Sequence, residues 1–489
     1  MERRGKKHYY GHMPNLNLAR ITKEVWNLTE KATLKRSLTL LQVVFLGLAW
    51  NNPMVFFNTY GIAAESSKGV LAGAYVIAFM AILFTAVSYG KMAKAHPIAG
   101  SAYTYTQRSM NSETGFMVGW TILLDYLLTP MITCLMSAVF LSAEFPGIPF
   151  SFWIIILNIG ITIISLIGIN LSANTSKIFV IAQILFIVVF VILTIKSVLG
   201  GMGTGTLLSV HPFFNSNVSI SVILAGASIL CFSFLGFDSV TTLSEEALNP
   251  EKTIPKAIFL MMLIMGIIYI GSAYLAQIVF PGFLFKNTDS AALVLVKMVG
   301  GNLFSTLFIT VMIIGNFTSG VSAVTSVSRV LYVMGRDSVL PKKIFGYIHP
   351  RFRTPTTSIL FVGLISMLGI VISLDTAITF INFGALIAFT FVNLSVIAHY
   401  YVRNRKRSFN ETIQYLIFPL IGAGFIMWLW SYLNINALIL GISWMAVGFV
   451  YLLFLTKFFR QRLRKLHFDD VHHDYKLKES QEKNIPVDA

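Results

Sequence analysis

The chain has 489 residues, of which 55% are hydrophobic and 12% charged, against about 25% charged in an ordinary soluble domain. With a mean hydropathy of +0.73, the polar residues are too few to coat a water-soluble protein of this size. The net charge of +16 does not mark a nucleic-acid partner, because the basic residues sit at both ends and in short segments between apolar runs, as in the cytoplasmic loops of a membrane protein. Cys134 and Cys231 both lie inside apolar runs and give neither a disulfide framework nor a metal-ligand spacing.

Residues 1–37 form a basic cytoplasmic leader carrying Arg3, Arg4, Lys6, Lys7, Lys35 and Arg36. The first apolar run lies too far in for a cleavable signal peptide. Within the leader, Ile21, Val25 and Leu28 share one face of a short helix over Arg20–Lys31, an interfacial anchor. A bilayer-spanning helix needs about 20 mostly apolar residues. Such runs are predicted at 38–63, 69–91, 114–143, 150–171, 175–199, 219–245, 255–281, 301–331, 356–373, 375–401, 414–431 and 434–457, about twelve in all. Basic residues collect after every second span: Lys91, Lys94 and Arg108, then Arg336, Lys342, Lys343, Arg351 and Arg353, then Arg403, Arg405, Lys406 and Arg407. That bias places these loops and both termini in the cytoplasm of a multi-pass protein of the plasma (inner) membrane. The transmembrane domain, 38–457, divides into halves at about 38–199 and 219–401, with further helices at about 414–457. Residues 458–489 are a polar cytoplasmic tail. Its His467, Asp469, Asp470, His472, His473 and Asp474 have nothing to fix a ligand geometry, so no metal is predicted.

Spans 1 and 6 are interrupted in the middle. Span 1 reads Trp50-Asn51-Asn52-Pro53, where proline removes a helix donor and the two asparagines compete for backbone partners. Span 6 reads Phe232-Ser233-Phe234-Leu235-Gly236-Phe237-Asp238. A single break is ordinarily a kink, but two breaks at corresponding places of two five-span halves point to a transporter's binding site. Half-helix ends offer N–H groups to a carboxylate and carbonyls to an ammonium or a cation. Asp238 is costly at that depth unless paired, which makes it a candidate amine or proton site; the plain alternative is a hydrogen bond to a hydroxyl such as that of Thr241. Trp50 and Phe232 flank the breaks and could shield an amine by cation–π contact. Asp125 in span 3 and Glu245 and Glu246 at the end of span 6 are candidate gating or structural carboxylates.

No Walker A sequence, H-E-x-x-H helix or G-x-S-x-G elbow is present, so neither an ATP-driven pump nor an enzyme is expected. No loop resembles a channel filter. A secondary transporter of small amine-bearing solutes leads, ahead of a channel or a non-transporting solute sensor.

Four blocks carry a family resemblance. They are Ser88–Met92 continuing into Pro97–Gln107, Phe232–Glu246 with Ile254–Ile258, Ser328–Asp337 with Arg353-Thr354-Pro355, and Ile381–Phe389. In them the chain, from about Lys35 to about Arg460, resembles the amino acid–polyamine–organocation permeases, and among these the putrescine-importer-like branch. The resemblance implies an all-α LeuT-type fold, with spans 1–5 and 6–10 as inverted repeats and two additional helices. It implies a central substrate site between spans 1, 3, 6, 8 and 10, with Phe232 and Asp238 at matching positions; the candidate substrate-binding residues are Trp50, Asn51, Asn52, Pro53, Asn58, Phe232, Ser233, Gly236 and Asp238. The importer-like pattern has an acidic residue where this chain has Asn58. A dication calls for two carboxylates, so amino acids or related amines are the expected substrates and a polyamine the alternative. Gln183 stands where some members carry a lysine in place of a sodium ion, which leaves proton, sodium and exchange coupling open. No cofactor is expected, and the protein is a monomer or homodimer in the bilayer.

Overall fold

Hydrocarbon offers no hydrogen bonds, so each backbone polar group must be satisfied inside its own segment, and helices do this. The computed structural model describes residues 36–457 apart from 99, 169–172, 245, 337–338, 350–351 and 353. The leader with its Arg20–Lys31 helix, the His/Asp-containing tail and Glu245 lie outside the described residues. Those described form helices, with no strand among them beyond one isolated bridge between Leu38 and Ala247.

The helices in chain order are α1 (Leu40–Asn51), α2 (Val55–Ser66), α3 (Leu71–Ala95), α4 (Ser101–Ser109), α5 (Ser112–Glu144), α6 (Phe150–Ile167), α7 (Ala173–Leu199) and α8 (Ile220–Leu230). Then come α9 (Pro250–Val279), α10 (Ala291–Arg336), the short α11 (Lys342–Phe345), α12 (Thr356–Ser366), α13 (Leu374–Val396), the short α14 (Phe409–Thr412), α15 (Phe418–Trp430) and α16 (Ile435–Leu455). Among the described residues, ten segments are long and apolar enough to cross a membrane, and the bent pair α1–α2 makes an eleventh. The run predicted at 356–373 forms a shorter apolar helix, Thr356–Ile370. Besides the one-turn helices α11 and α14, two longer helices escaped the sequence reading. The first is α4, which is polar and amphipathic. The second is the stretch 291–300, which is too short to read as a span; Gly301 (φ 73, ψ −168) divides it from the rest of α10.

The helix α5 is the central pillar. Asn111 caps it by accepting from Thr114 N–H at 2.7 Å, and its 33 residues give a length of about 50 Å. Its apolar window is 89% buried, against 17% for α16 and 22% for α6. Helices α4, α6, α10, α12, α13 and α16 all pack on it. Apolar side chains on α6, α7, α15 and α16 are left exposed on the outside, among them Ile156, Leu185, Met427 and Val450, where lipid tails solvate them as well as protein would. The peripheral α16 is pinned to α5 by a reciprocal pair: the rings of Trp120 and Trp444 stack at 4.9 Å, and each indole N–H donates to the other residue's carbonyl at 2.9 Å.

Candidate substrate site

Both predicted interruptions are present. Between α1 and α2 the axis bends by 46°. Asn52 takes φ 60, ψ 98, a conformation asparagine tolerates better than most residues, and its Oδ1 accepts from Met54 N–H at 3.1 Å. The carbonyls freed by the break find side-chain donors: Ser319 Oγ reaches Trp50 O at 2.7 Å and Tyr269 Oη reaches Asn52 O at 3.3 Å. In the other interrupted span, α8 gives way to a tight turn over Cys231–Phe234, then to extended Leu235 and left-handed Gly236 (φ 101), then to a 3-10 stretch over Phe237–Leu243. Asn382 Nδ2 of α13 donates to Ser228 O at 3.0 Å and Ile229 O at 3.2 Å, which satisfies the end of α8. Asn51 ties the two breaks together, its Nδ2 donating to Leu235 O while its Oδ1 accepts from Tyr269 Oη at 2.9 Å. Gly236 has no alternative here, since a Cβ would sit 2.7 Å from the Trp50 ring.

Asp238 is 1% exposed. Its Oδ2 accepts from Tyr126 Oη at 3.0 Å and Ser101 Oγ at 3.2 Å. Thr241, the neighbour expected from sequence as a partner, instead donates to the Asp238 backbone carbonyl at 2.6 Å, because a hydroxyl three residues on in a tight helix reaches the main chain first. Asp125 is 6% exposed, and its Oδ1 accepts from Thr129 Oγ1 at 3.1 Å. Asp125, Asp238, Trp50, Asn51, Asn52, Phe232 and Gly236 all line one central cavity of about 40 Å³, together with Tyr126, Thr129, Asn316 and Ser319. That is room for a few water molecules, so a larger solute requires the cavity to widen. None of its lining residues is basic.

Other residues singled out from sequence lie off this cavity. Pro53 sits in the break without lining it. Ser233 Oγ turns to Tyr75 Oη at 3.2 Å and Thr59 Oγ1 at 3.3 Å. Asn58 is 1% exposed, outside the cavity lining, and both of its amide atoms are without a partner. Gln183 also stands outside the lining but beside it. A Cβ on Gly315 would meet Gln183 Nε2 at 3.0 Å and Asn52 Oδ1 at 3.2 Å, so these two amides converge over that glycine. Glu246 lies by the start of α1, where its carbonyl accepts from Ser37 N–H at 2.9 Å and Leu38 N–H at 3.0 Å. Sequence reading missed Tyr126, Ser101, Thr129, Tyr269, Asn316 and Ser319. Each is a polar residue on an otherwise apolar or unassigned segment; Thr129 takes its role from Asp125 one turn back on α5, and the others from partners across the bundle.

The chain matches the family model for amino acid permeases over residues 41–457. It belongs to the amino acid permease family. Among curated relatives, it is 42% identical over 445 residues to the low-affinity putrescine importer of Escherichia coli (strain K12), covering 91% of this chain and 98% of that one. It is 26% identical to the methylthioribose transporter of Bacillus subtilis (strain 168), over 88% of this chain and 95% of that one. It is 24% identical to the branched-chain amino acid permease of the same organism, over 86% and 92%. The protein is therefore a multi-pass membrane permease.

In this permease a second cavity of about 450 Å³ lies farther along α5, lined by Leu135, Val139, Ser142, Ala143, Phe150, Asn287 and Asp289 and by residues 370–374. Asp125, Thr129, Ile132 and Met136 of the central cavity and Val139 and Ala143 of the second recur at helical spacing, so they share one face of α5. Burial, and then the nearby Asp375 carboxylate, push the Asp289 carboxyl above its usual range. Just past the C-terminus of α3, the His96 and His399 rings meet edge to face at 4.9 Å. Burial, with His399, Arg108 and Arg403 adding to it, lowers the His96 pKa to about 4.

Proposed function

We propose that this permease is a secondary transporter that imports a small cationic amine by alternating access, and that a diamine such as putrescine fits it best. The observation that carries the reading is the convergence of two buried carboxylates, Asp238 and Asp125, on one cavity with no basic residue in its lining. Each ammonium of a dication needs an acceptor once it leaves water. The sequence argument against a diamine rested on Asn58 standing where a second carboxylate was wanted. Asn58 does not line the cavity, and Asp125, supplied by α5, does. The Trp50 and Phe232 rings offer π faces to the same cations. The resemblance to a putrescine importer supports this reading. Amino acids are the second reading, favoured by the family and by the branched-chain relative.

The same proposal takes the two breaks as equivalent points of two inverted repeats, α1 to α7 and α8 to α13. The short helix Thr356–Ile370 serves as a ninth span, and 409–430 and 435–455 are the two additional ones. With the basic loops inside, both termini are cytoplasmic and the second cavity faces outward, where Asp289 and Asp375 draw cations toward the α5 face that leads to Asp125.

The test pairs ligand-induced thermal stabilisation of the purified protein with uptake into proteoliposomes. A ligand at about 100 times its Kd stabilises the folded state by about 2.7 kcal/mol. Putrescine is expected to raise the Tm, and Asp238→Asn and Asp125→Asn to abolish putrescine uptake while leaving membrane insertion intact. Stabilisation by single amino acids and not by putrescine would return the amino-acid reading to first place. Normal uptake by Asp238→Asn would remove that residue from the mechanism.

A further inference from the structure

Asn316 lies on α10, one helical turn from the Ser319 that holds Trp50 O. It is 1% exposed and lines the central cavity. A chain of bonds that starts at the backbone fixes which way its amide faces. Met54 N–H donates to Asn52 Oδ1 at 3.1 Å, so Asn52 turns its Nδ2 toward Asn316 and donates to Oδ1 at 2.7 Å. An amide nitrogen cannot accept that bond, so the other half of Asn316 is unambiguously the Nδ2 donor. This donor is buried and has no partner. Among the described residues it is the one solvent-shielded side-chain polar atom of the cavity lining left unsatisfied. Ser319 and Tyr126 give their protons to Trp50 O and Asp238 Oδ2, and the oxygen of neither accepts from Asn316 Nδ2 in this conformation. Gln183 Oε1 lacks a donor as well, but it lies outside the lining and does not meet Asn316 in this conformation.

We propose that Asn316 Nδ2 receives an oxygen acceptor carried by the substrate, so that the cavity takes amines whose far end is a carboxylate or carbonyl oxygen as well as diamines. The inference rests on the amine reading above, in which Asp238 receives the ammonium. The cavity then has acceptors for a cation from Asp125 and Asp238 and one spare donor for an anion or carbonyl from Asn316. The ω-amino acid 4-aminobutanoate is close to putrescine in length and differs at one end, where a carboxylate replaces an ammonium. With putrescine, Asn316 Nδ2 gains no acceptor from the ligand. With 4-aminobutanoate, it makes a hydrogen bond to a charged group. Asn316 therefore sets the ratio of the two affinities rather than amine binding as such.

The experiment measures Kd for putrescine and for 4-aminobutanoate on the purified full-length permease, as wild type, Asn316→Leu and Asn316→Asp. Wild type is expected to bind both. Asn316→Leu also removes the acceptor of Asn52 Nδ2 and so acts on both ligands, and it is expected to weaken 4-aminobutanoate about ten-fold more than putrescine, the usual loss for a bond to a charged group. Asn316→Asp is expected to shift the ratio further in the same direction, because its carboxylate repels the ligand's. The ratio is read within one preparation, so a general loss of stability cancels. Equal weakening of both ligands, or a wild type that binds putrescine and not 4-aminobutanoate, overturns the proposal and leaves the amine reading standing. A wild type that binds neither amine overturns both.

Discussion

Asp238 can sit 1% exposed inside a membrane bundle because the fold brings two hydroxyls to one of its oxygens. Tyr126 comes from α5, and Ser101 from a short helix that sequence periodicity does not reveal. The carboxylate itself was legible, as an acid inside an apolar run. Its partners were not, because they lie more than a hundred positions away in sequence. Asp125 was legible as an acid too, but whether it faced the site or a structural neighbour depended on the rotation of α5. In the proposed site Tyr126 acts on the substrate through Asp238, to which it donates. Tyr126→Phe leaves Ser101 as the one side chain that holds the carboxylate, beside the backbone groups of Gly236 and Asp238. The expected result is a KM for amine uptake raised by roughly ten-fold, near the worth of one hydrogen bond to a charged group, with little change in the maximal rate. An equal fall in maximal rate with unchanged KM would place Tyr126 in the gating motion instead.

Each broken span shows how far local chemistry reaches. Pro53 and its two asparagines announced the first interruption, and the structure opens the helix at Asn52–Met54. Gly236 announced the second. There the break is a left-handed residue between two tight turns, whose carbonyls are satisfied by Asn51 and Asn382 from other helices. Gly236→Ala combines a positive φ, which costs an L-residue roughly 1–2 kcal/mol, with a Cβ placed 2.7 Å from the Trp50 ring. The variant is expected to insert into the membrane, melt several degrees lower and lose most of its uptake. A variant with wild-type Tm and uptake would show that the break does not require this backbone conformation. Gly315→Ala, whose Cβ would press on both the Gln183 and Asn52 amides, is expected to slow uptake more mildly, since flexible side-chain ends can yield.

Across the whole molecule, stability and access meet at the two ends of the bundle. His96 is kept neutral to about pH 4 by burial and by His399, Arg108 and Arg403. In an unfolded chain it would titrate near 6.5. Between those values the unfolded state binds more protons, so stability falls as pH falls through that window and is unaffected by this group above it. His96→Gln removes the group. The Tm of wild type is expected to fall more steeply than that of the variant between pH 7 and 4.5, with the two curves parallel above pH 7. Identical slopes throughout would mean that His96 is solvated in the folded protein.

The sequence by itself determined that the chain is a polytopic membrane protein, that spans 1 and 6 are broken, and that a buried carboxylate lies beside the second break. Hydropathy, proline, glycine and charge act over a few residues, so these features are written locally. Only the tertiary structure decided that Asp125 shares a cavity with Asp238, that Asn58 does not line it, and that Asn316 brings an unsatisfied donor to the same place. Those facts depend on helix rotation and on contacts between α1, α5, α8 and α10. In a bundle whose helices are apolar on nearly every face, periodicity does not say which side turns inward.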